Sequence, residues 1–124
     1  MQVPKIFESE YRFCCILWEL EPVRSGELAA ACRERLGWKS STAYTVMKRL
    51  AERGVLKNEN SVITSLVSKD AVRAAEADEV VEKRFGGSLP AFVSAFARAK
   101  PMSGEELDEL QRMIDEYRRG VRDD

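Results

Sequence analysis

Between Gly37 and Gly54 the chain reads WKSSTAYTVMKRLAER, and this stretch restricts the fold more tightly than any other. Ala43, Val46, Met47 and Leu50 recur at helical spacing and form one narrow apolar stripe. Serines at the start are able to cap the helix, and Gly54 closes it. A helix with a single stripe must lay it on a core and leave the rest in water. That remainder is Ser41, Thr42, Tyr44, Thr45, Lys48 and Arg49: short hydroxyls near the helix start, one aromatic, then two cations.

The flanking segments complete a unit. Upstream, SEYRFCCILWEL places Tyr11, Cys14, Cys15 and Trp18 at i, i+3, i+4 and i+7, which predicts a helix with that face on the core and an end at Pro22. SGELAAACRERLG predicts a second helix, with Ser25 as N-cap, Glu27 in the first turn, Leu28, Cys32 and Leu36 inward, and Gly37 as the stop. Downstream, VLKN and SVITSLV are extended, β-branched runs joined by a polar EN, the pattern of a hairpin. Three helices, the last two separated by a tight Gly-Trp connection, and a hairpin make a winged helix-turn-helix within a mostly α fold.

Composition narrows the function. At 124 residues and 44% apolar content the chain suits one globular domain with an appended interaction segment. The compact apolar run FCCILW is only six residues long and is flanked by charges, so no secretory signal or membrane insertion is expected and the chain reads as cytoplasmic. With no histidine, no Gly-rich phosphate loop and no nucleophile elbow, no reaction constellation assembles. The chain reads as a binder without a cofactor or metal, not an enzyme. Cys14, Cys15 and Cys32 are odd in number and form no CxxC pair, so they read as small core hydrophobes, with a thiol switch or metal ligation as alternatives.

Short donors at a helix start can approach base edges and phosphates, and Lys or Arg further along can reach guanine or the backbone. The outward face of the third helix is therefore equipped like a recognition helix in a major groove, although the same residue types also make an ordinary solvated face. Charge favours the first reading. Residues 36 to 58 hold five cations, Lys39, Lys48, Arg49, Arg53 and Lys57, against the single acid Glu52. Residues 71 to 124 hold 9 Lys and Arg against 12 Asp and Glu, so the acidic pI of about 5.7 reflects the second half.

That half reads as helices. One runs from about Asp70 to Phe85 and stops at Gly86-Gly87; Ser88 caps a short one carrying Leu89, Phe92, Val93 and Phe96 before Lys100-Pro101. A last helix opens with a Ser103/Glu106 capping box and carries Leu107, Leu110, Ile114, Tyr117 and Val121 in steps of three and four. This is an a/d seam about two heptads long, too short to hold two chains unaided, so Phe92 and Phe96 must join it. The helices either pack on the winged domain or pair two chains. Pairing suits a basic helix better, and divides the chain into a DNA-binding domain, residues 1–68, and a helical dimerisation region, residues 69–124.

WKSSTAYTVMKRLAERGVL, preceded by EYRFCCILW and followed by SLVS, resembles the penicillinase repressor family. The likeness runs from about Ile6 to Tyr117 and includes the Gly-Gly before the penultimate helix and MSGEELDEL in the last. The resemblance implies a homodimeric winged-helix repressor that reads a palindromic operator in double-stranded DNA with its third helix. Ser41, Thr42, Tyr44, Thr45, Lys48 and Arg49 inherit the DNA-contacting positions; Phe92, Phe96, Leu107, Leu110, Ile114 and Tyr117 are the expected dimer contacts. It also implies release by a membrane sensor protease answering a β-lactam or cell-envelope signal. The family's Asn-Phe cleavage bond has its nearest equivalent in Ala95-Phe96. Some positions depart: Ser40 stands where proline is usual, NENSVITS is a short wing with no cation, and the paired C-terminal cysteines of the copper-responsive branch are missing. A protein-interaction adaptor on a winged-helix scaffold is the alternative.

Overall fold

The structure, a computed structural model, describes residues 2–123, with side chains described through Gly120. The expected seam position Val121 therefore lies outside the described side chains. The chain divides into two compact units, one up to Asp78 and one from Glu79 onward. The first holds α1 (Glu8–Leu20), β1 (Val23–Arg24), α2 (Ser25–Leu36), α3 (Ser40–Glu52), β2 (Leu56–Glu59), β3 (Val62–Ser65) and the start of α4 (Lys69–Phe85). The end of α4, α5 (Leu89–Ala99) and α6 (Gly104–Asp123) belong to the second. Three helices followed by a hairpin are thus present as expected.

The hairpin is part of a larger sheet. Three antiparallel strands run in the order β1-β3-β2, with Val23 opposite Ile63 and Asn58 opposite Ile63 on the other side. Strand β1 is only two residues long, and two residues carry no periodicity, so sequence patterning misses it. Its presence also overturns the expected cap. Ser25 is the first helical residue of α2, and the N-cap position falls on Arg24 without a side-chain bond; the Ser25 N–H donates instead to the Ser61 carbonyl at 2.8 Å. Strand pairing has taken over the task of a capping hydroxyl. The N-cap of α3 is likewise Lys39, and the Ser40 hydroxyl accepts from the Arg33 guanidinium at 3.0 Å.

The turn is Asn60-Ser61, one residue later than the EN of the sequence reading, and both residues have positive φ, 53° and 67°. Two left-handed residues are what a type I′ hairpin requires, because that turn matches the twist of its strands. Asn58 Oδ1 accepts the Ser61 N–H at 2.9 Å.

Phe13, Leu17, Leu28, Leu50, Val55, Leu56, Ile63 and Val72 are fully buried and form one core, with Val72 supplied by the beginning of α4. The stripe of α3 is buried as expected. Helix α1 differs. Phe13, Cys14, Ile16 and Leu17 are its innermost apolar residues, while Tyr11, Cys15 and Trp18 are half-buried at the edge. The helix packs against both α2 and β3, so its buried face is wider than the single stripe read from the sequence. Trp18 reaches the chain after the sheet, donating its indole N–H to the Val67 carbonyl at 2.9 Å, and Trp38 stacks on Phe13 at 6.1 Å. Burial pushes the Cys14 thiol up to about 12 and the Cys32 thiol up to about 11, so both stay protonated at neutral pH and serve as apolar filling.

One charge lies inside this core. Glu10 is 3% exposed. Its carboxylate accepts the Phe7 N–H at 2.9 Å and two guanidinium bonds from Arg53, at 2.6 and 3.1 Å. A third bond from Arg53, 2.7 Å to the Lys5 carbonyl, fastens the segment before α1. Burial by itself raises the Glu10 carboxyl, but the Arg53 and Phe7 hydrogen bonds and the charges of Arg53 and Arg49 outweigh it and hold the group below its ordinary value.

In the second unit, the Ser88 hydroxyl accepts the Ala91 N–H at 3.1 Å, and Ser103 and Glu106 exchange the two bonds of a capping box. Phe85 meets Phe92 edge-on at 5.4 Å.

Three outcomes are expected. Arg53→Met strands a buried carboxylate and should lower stability by about 3 kcal/mol in urea unfolding at neutral pH; an unchanged midpoint would mean that the pair contributes nothing. Because the folded Glu10 carboxyl titrates below its unfolded value, its contribution is complete above the ordinary 4.5 and is lost as pH falls through the lower folded value. Glu10→Gln should therefore show a flatter decline in acid than the parent. Separately, Ser61→Gly should raise the melting temperature by relieving a left-handed residue, worth roughly 0.5–1 kcal/mol.

Candidate nucleic-acid interface

Helix α3 has its azimuth set by burial. With Ala43, Val46, Met47 and Leu50 in the core, Ser41, Thr42, Tyr44, Thr45, Lys48 and Arg49 are all exposed, so the six candidate residues share one side of one rigid element. Ser41 and Thr42 stand free in the first turn. Thr45 donates its hydroxyl proton to the Ser41 carbonyl at 2.8 Å, which orients its oxygen as an acceptor. Tyr44 is 45% exposed and leans towards the start of α2, where a Cβ added to Gly26 would lie 3.8 Å from its hydroxyl. Neither Lys48 nor Arg49 has a carboxylate within ion-pair distance among the described residues. Both cations therefore remain free for a polyanion.

The five-cation count from the sequence overstates what is available. Arg53 is withdrawn by Glu10, and Lys57 pairs with Glu59 at 3.1 Å across an exposed strand. That leaves Lys39, Lys48 and Arg49 as the cations of this stretch without an acidic partner among the described residues. The wing itself exposes Asn58, Glu59, Asn60 and Ser61 and offers no free positive charge. That some cation must be occupied had a signal in the sequence, although which cation did not. Glu10 falls on the same stripe as Phe13, Cys14 and Leu17, and a carboxylate at a core position calls for a cation opposite.

In the second unit the expected seam lies open. Leu107, Leu110 and Ile114 are between 43% and 48% exposed and Tyr117 is 75% exposed, while Phe92 is half-buried and Phe96 is 48% exposed. Phe92, Val93, Phe96, Met102, Leu110 and Met113 line a cleft of 360 Å³ between α5 and α6, with Glu106 and Glu109 also on its wall. Ala95 and Phe96 sit inside α5, whose last turn is closed by the Lys100 N–H donating to the Phe96 carbonyl at 3.1 Å. Their peptide bond is therefore helical. No helix among the described residues is long and apolar enough to cross a membrane.

The chain is 21% identical over 121 residues to the penicillinase repressor of Bacillus licheniformis, covering 94% of each chain. It is 21% identical over 116 residues to the penicillinase repressor of Staphylococcus aureus, covering 90% of this chain and 92% of that one. The family model for penicillinase repressors matches residues 6–116, which takes in the winged unit and nearly all of the helical one. A wing, an exposed polar and basic third helix and a match of this extent agree: the chain belongs to the penicillinase repressor family of DNA-binding transcriptional regulators and is not an enzyme.

Proposed function

We propose that the chain represses transcription as a homodimer bound to a palindromic operator. Residues 1–68 form the reading module and residues 69–124 the pairing module. The observation that carries this reading is the outward side of α3, where six exposed polar or basic side chains include two cations without carboxylate partners among the described residues. In such a complex Ser41, Thr42, Tyr44 and Thr45 approach base edges and nearby phosphates, while Lys48 and Arg49 reach guanine or the backbone. A module with few free cations makes few phosphate contacts, so useful affinity comes from joining two of them. A two-fold axis would set the recognition helices about 34 Å apart, one turn of duplex.

The pairing reading is supported by the row Leu107, Leu110, Ile114 and Tyr117, large apolar side chains left in water at a/d spacing, and by Phe92 and Phe96 beside them. A contiguous apolar surface of this kind on a single chain marks an interaction site. Release follows when the two modules separate. If a membrane sensor protease cuts at Ala95-Phe96, α5 must first open, because a protease cleft takes an extended chain and this bond is helical.

Lys48→Ala or Arg49→Ala should weaken binding to the promoter duplex by roughly five-fold or more while leaving the dimer intact. Unchanged binding in a gel-shift titration would remove α3 from its role. Leu110→Asp combined with Ile114→Asp should give a monomer by analytical ultracentrifugation, and a persistent dimer would exclude this seam. Failure of the parent chain to prefer its promoter duplex over an unrelated one would favour an adaptor on the same scaffold.

A further inference from the structure

The segment before α1 carries charge that the reading of α3 leaves unused. Lys5 is exposed, and among the described residues no carboxylate lies within ion-pair distance of it. Its Nζ stands 5.4 Å from the centroid of the Phe7 ring, and Cζ of Arg53 stands 5.2 Å from the same centroid. Phe7 is nevertheless 54% exposed. A surface ring with two cations near it is held in place by those cations and not by a core. The backbone at Lys5 is fixed as well, since its carbonyl accepts the 2.7 Å bond from Arg53. The main chain of the lysine is thus anchored at the end of α3, and its side chain lies over the Phe7 ring.

Arg49 stands one turn before Arg53 on α3, so the two share a flank of that helix. The electrostatic influence of Arg49 on Glu10 agrees with that placement. Nearby acids leave the flank positive. Glu10 is neutralised by Arg53, and Glu8 is matched with Arg12 at 3.7 Å; Glu52, on the last turn of α3, lies nearer the outward centre of the helix than Arg49 or Arg53. The result is a pre-positioned ammonium and guanidinium beside the groove-facing side chains, supported by an exposed ring.

We propose that Lys5, braced by Phe7, together with Arg49 grips the sugar-phosphate backbone of the duplex at the border of the groove that α3 reads. The interface then extends past α3 onto the segment before α1, and so supplies a charge contact that the wing, without a free cation, does not offer. This rests on the reading that α3 faces duplex DNA. A backbone contact carries no sequence information, so its loss weakens operator and unrelated duplex alike and lowers the salt slope by about one.

The test uses the full chain, with fluorescence anisotropy on the promoter duplex and on an unrelated duplex across a salt series. Lys5→Ala should weaken binding to both by about three- to ten-fold and flatten the salt dependence, Lys5→Arg should restore both, and the melting temperature should stay unchanged. Parent affinity and slope for Lys5→Ala, beside weakened binding for Lys48→Ala, would overturn the backbone grip and leave the reading of α3 standing. Parent behaviour for both variants would overturn the two together. A loss on the promoter duplex alone would place Lys5 at base edges and overturn the backbone assignment.

Discussion

Burial of Ala43, Val46, Met47 and Leu50 decides how α3 is turned, and most of what the molecule presents to a partner follows from that rotation. A stripe this narrow gives the helix one azimuth at which its apolar residues leave water. Turning it by a single residue step would put Tyr44 and Lys48 into the core and bring Val46 and Leu50 out, at a cost of several kcal/mol for the buried polar group alone. The same four contacts therefore hold the hydroxyls and cations of the opposite side outward together. The core-forming and the solvent-facing residues occupy different faces of one helix, which lets the outer face vary without disturbing the core.

The ion pair of Glu10 with Arg53 adds a second constraint, of a different kind. A buried pair often contributes little net stability over an apolar one, but it tolerates only a narrow geometry. Here it joins two segments that are distant in sequence: residues 5–10, which lead into α1, and the C-terminal cap of α3. Apolar packing can slide by small amounts; a bidentate carboxylate-guanidinium pair with a further carbonyl bond cannot do so without losing hydrogen bonds. The pair thus fixes the axial position of α3 where burial fixes its rotation. It also removes Arg53 from any role on the surface.

The two units divide labour by charge and by exposure of apolar surface. The winged unit buries most of its aliphatic side chains in one core and leaves cations outward on α3, whereas the helical unit leaves a row of leucine, isoleucine and tyrosine in water amid an excess of acid. The excess of acid in the second unit is unfavourable to duplex DNA, in keeping with the proposed assignment of DNA binding to the first. The low overall charge of the chain is the sum of two opposite tendencies and describes neither unit.

Most helices were legible in the sequence because their signals are local. Stripe, glycine stop and capping box each lie within one or two turns, and α3, α5 and α6 follow them with shifts of a residue or so. The outward placement of Ser41 to Arg49 was legible for the same reason, since it is the complement of the buried stripe. What the sequence could not show depends on residues far apart in the chain. Strand β1 exists only because Val62 and Ile63 lie beside it; Ser25 needs no capping partner because Ser61 reaches it; α1 buries a wider face because α2 and β3 cover two of its sides. The number of free cations belongs to this class too, because Arg53 is neutralised by a glutamate 43 positions earlier. Periodicity determines which side of a helix is apolar, but only tertiary contact determines which charges remain unpaired, because pairing depends on distance in space and not on distance along the chain.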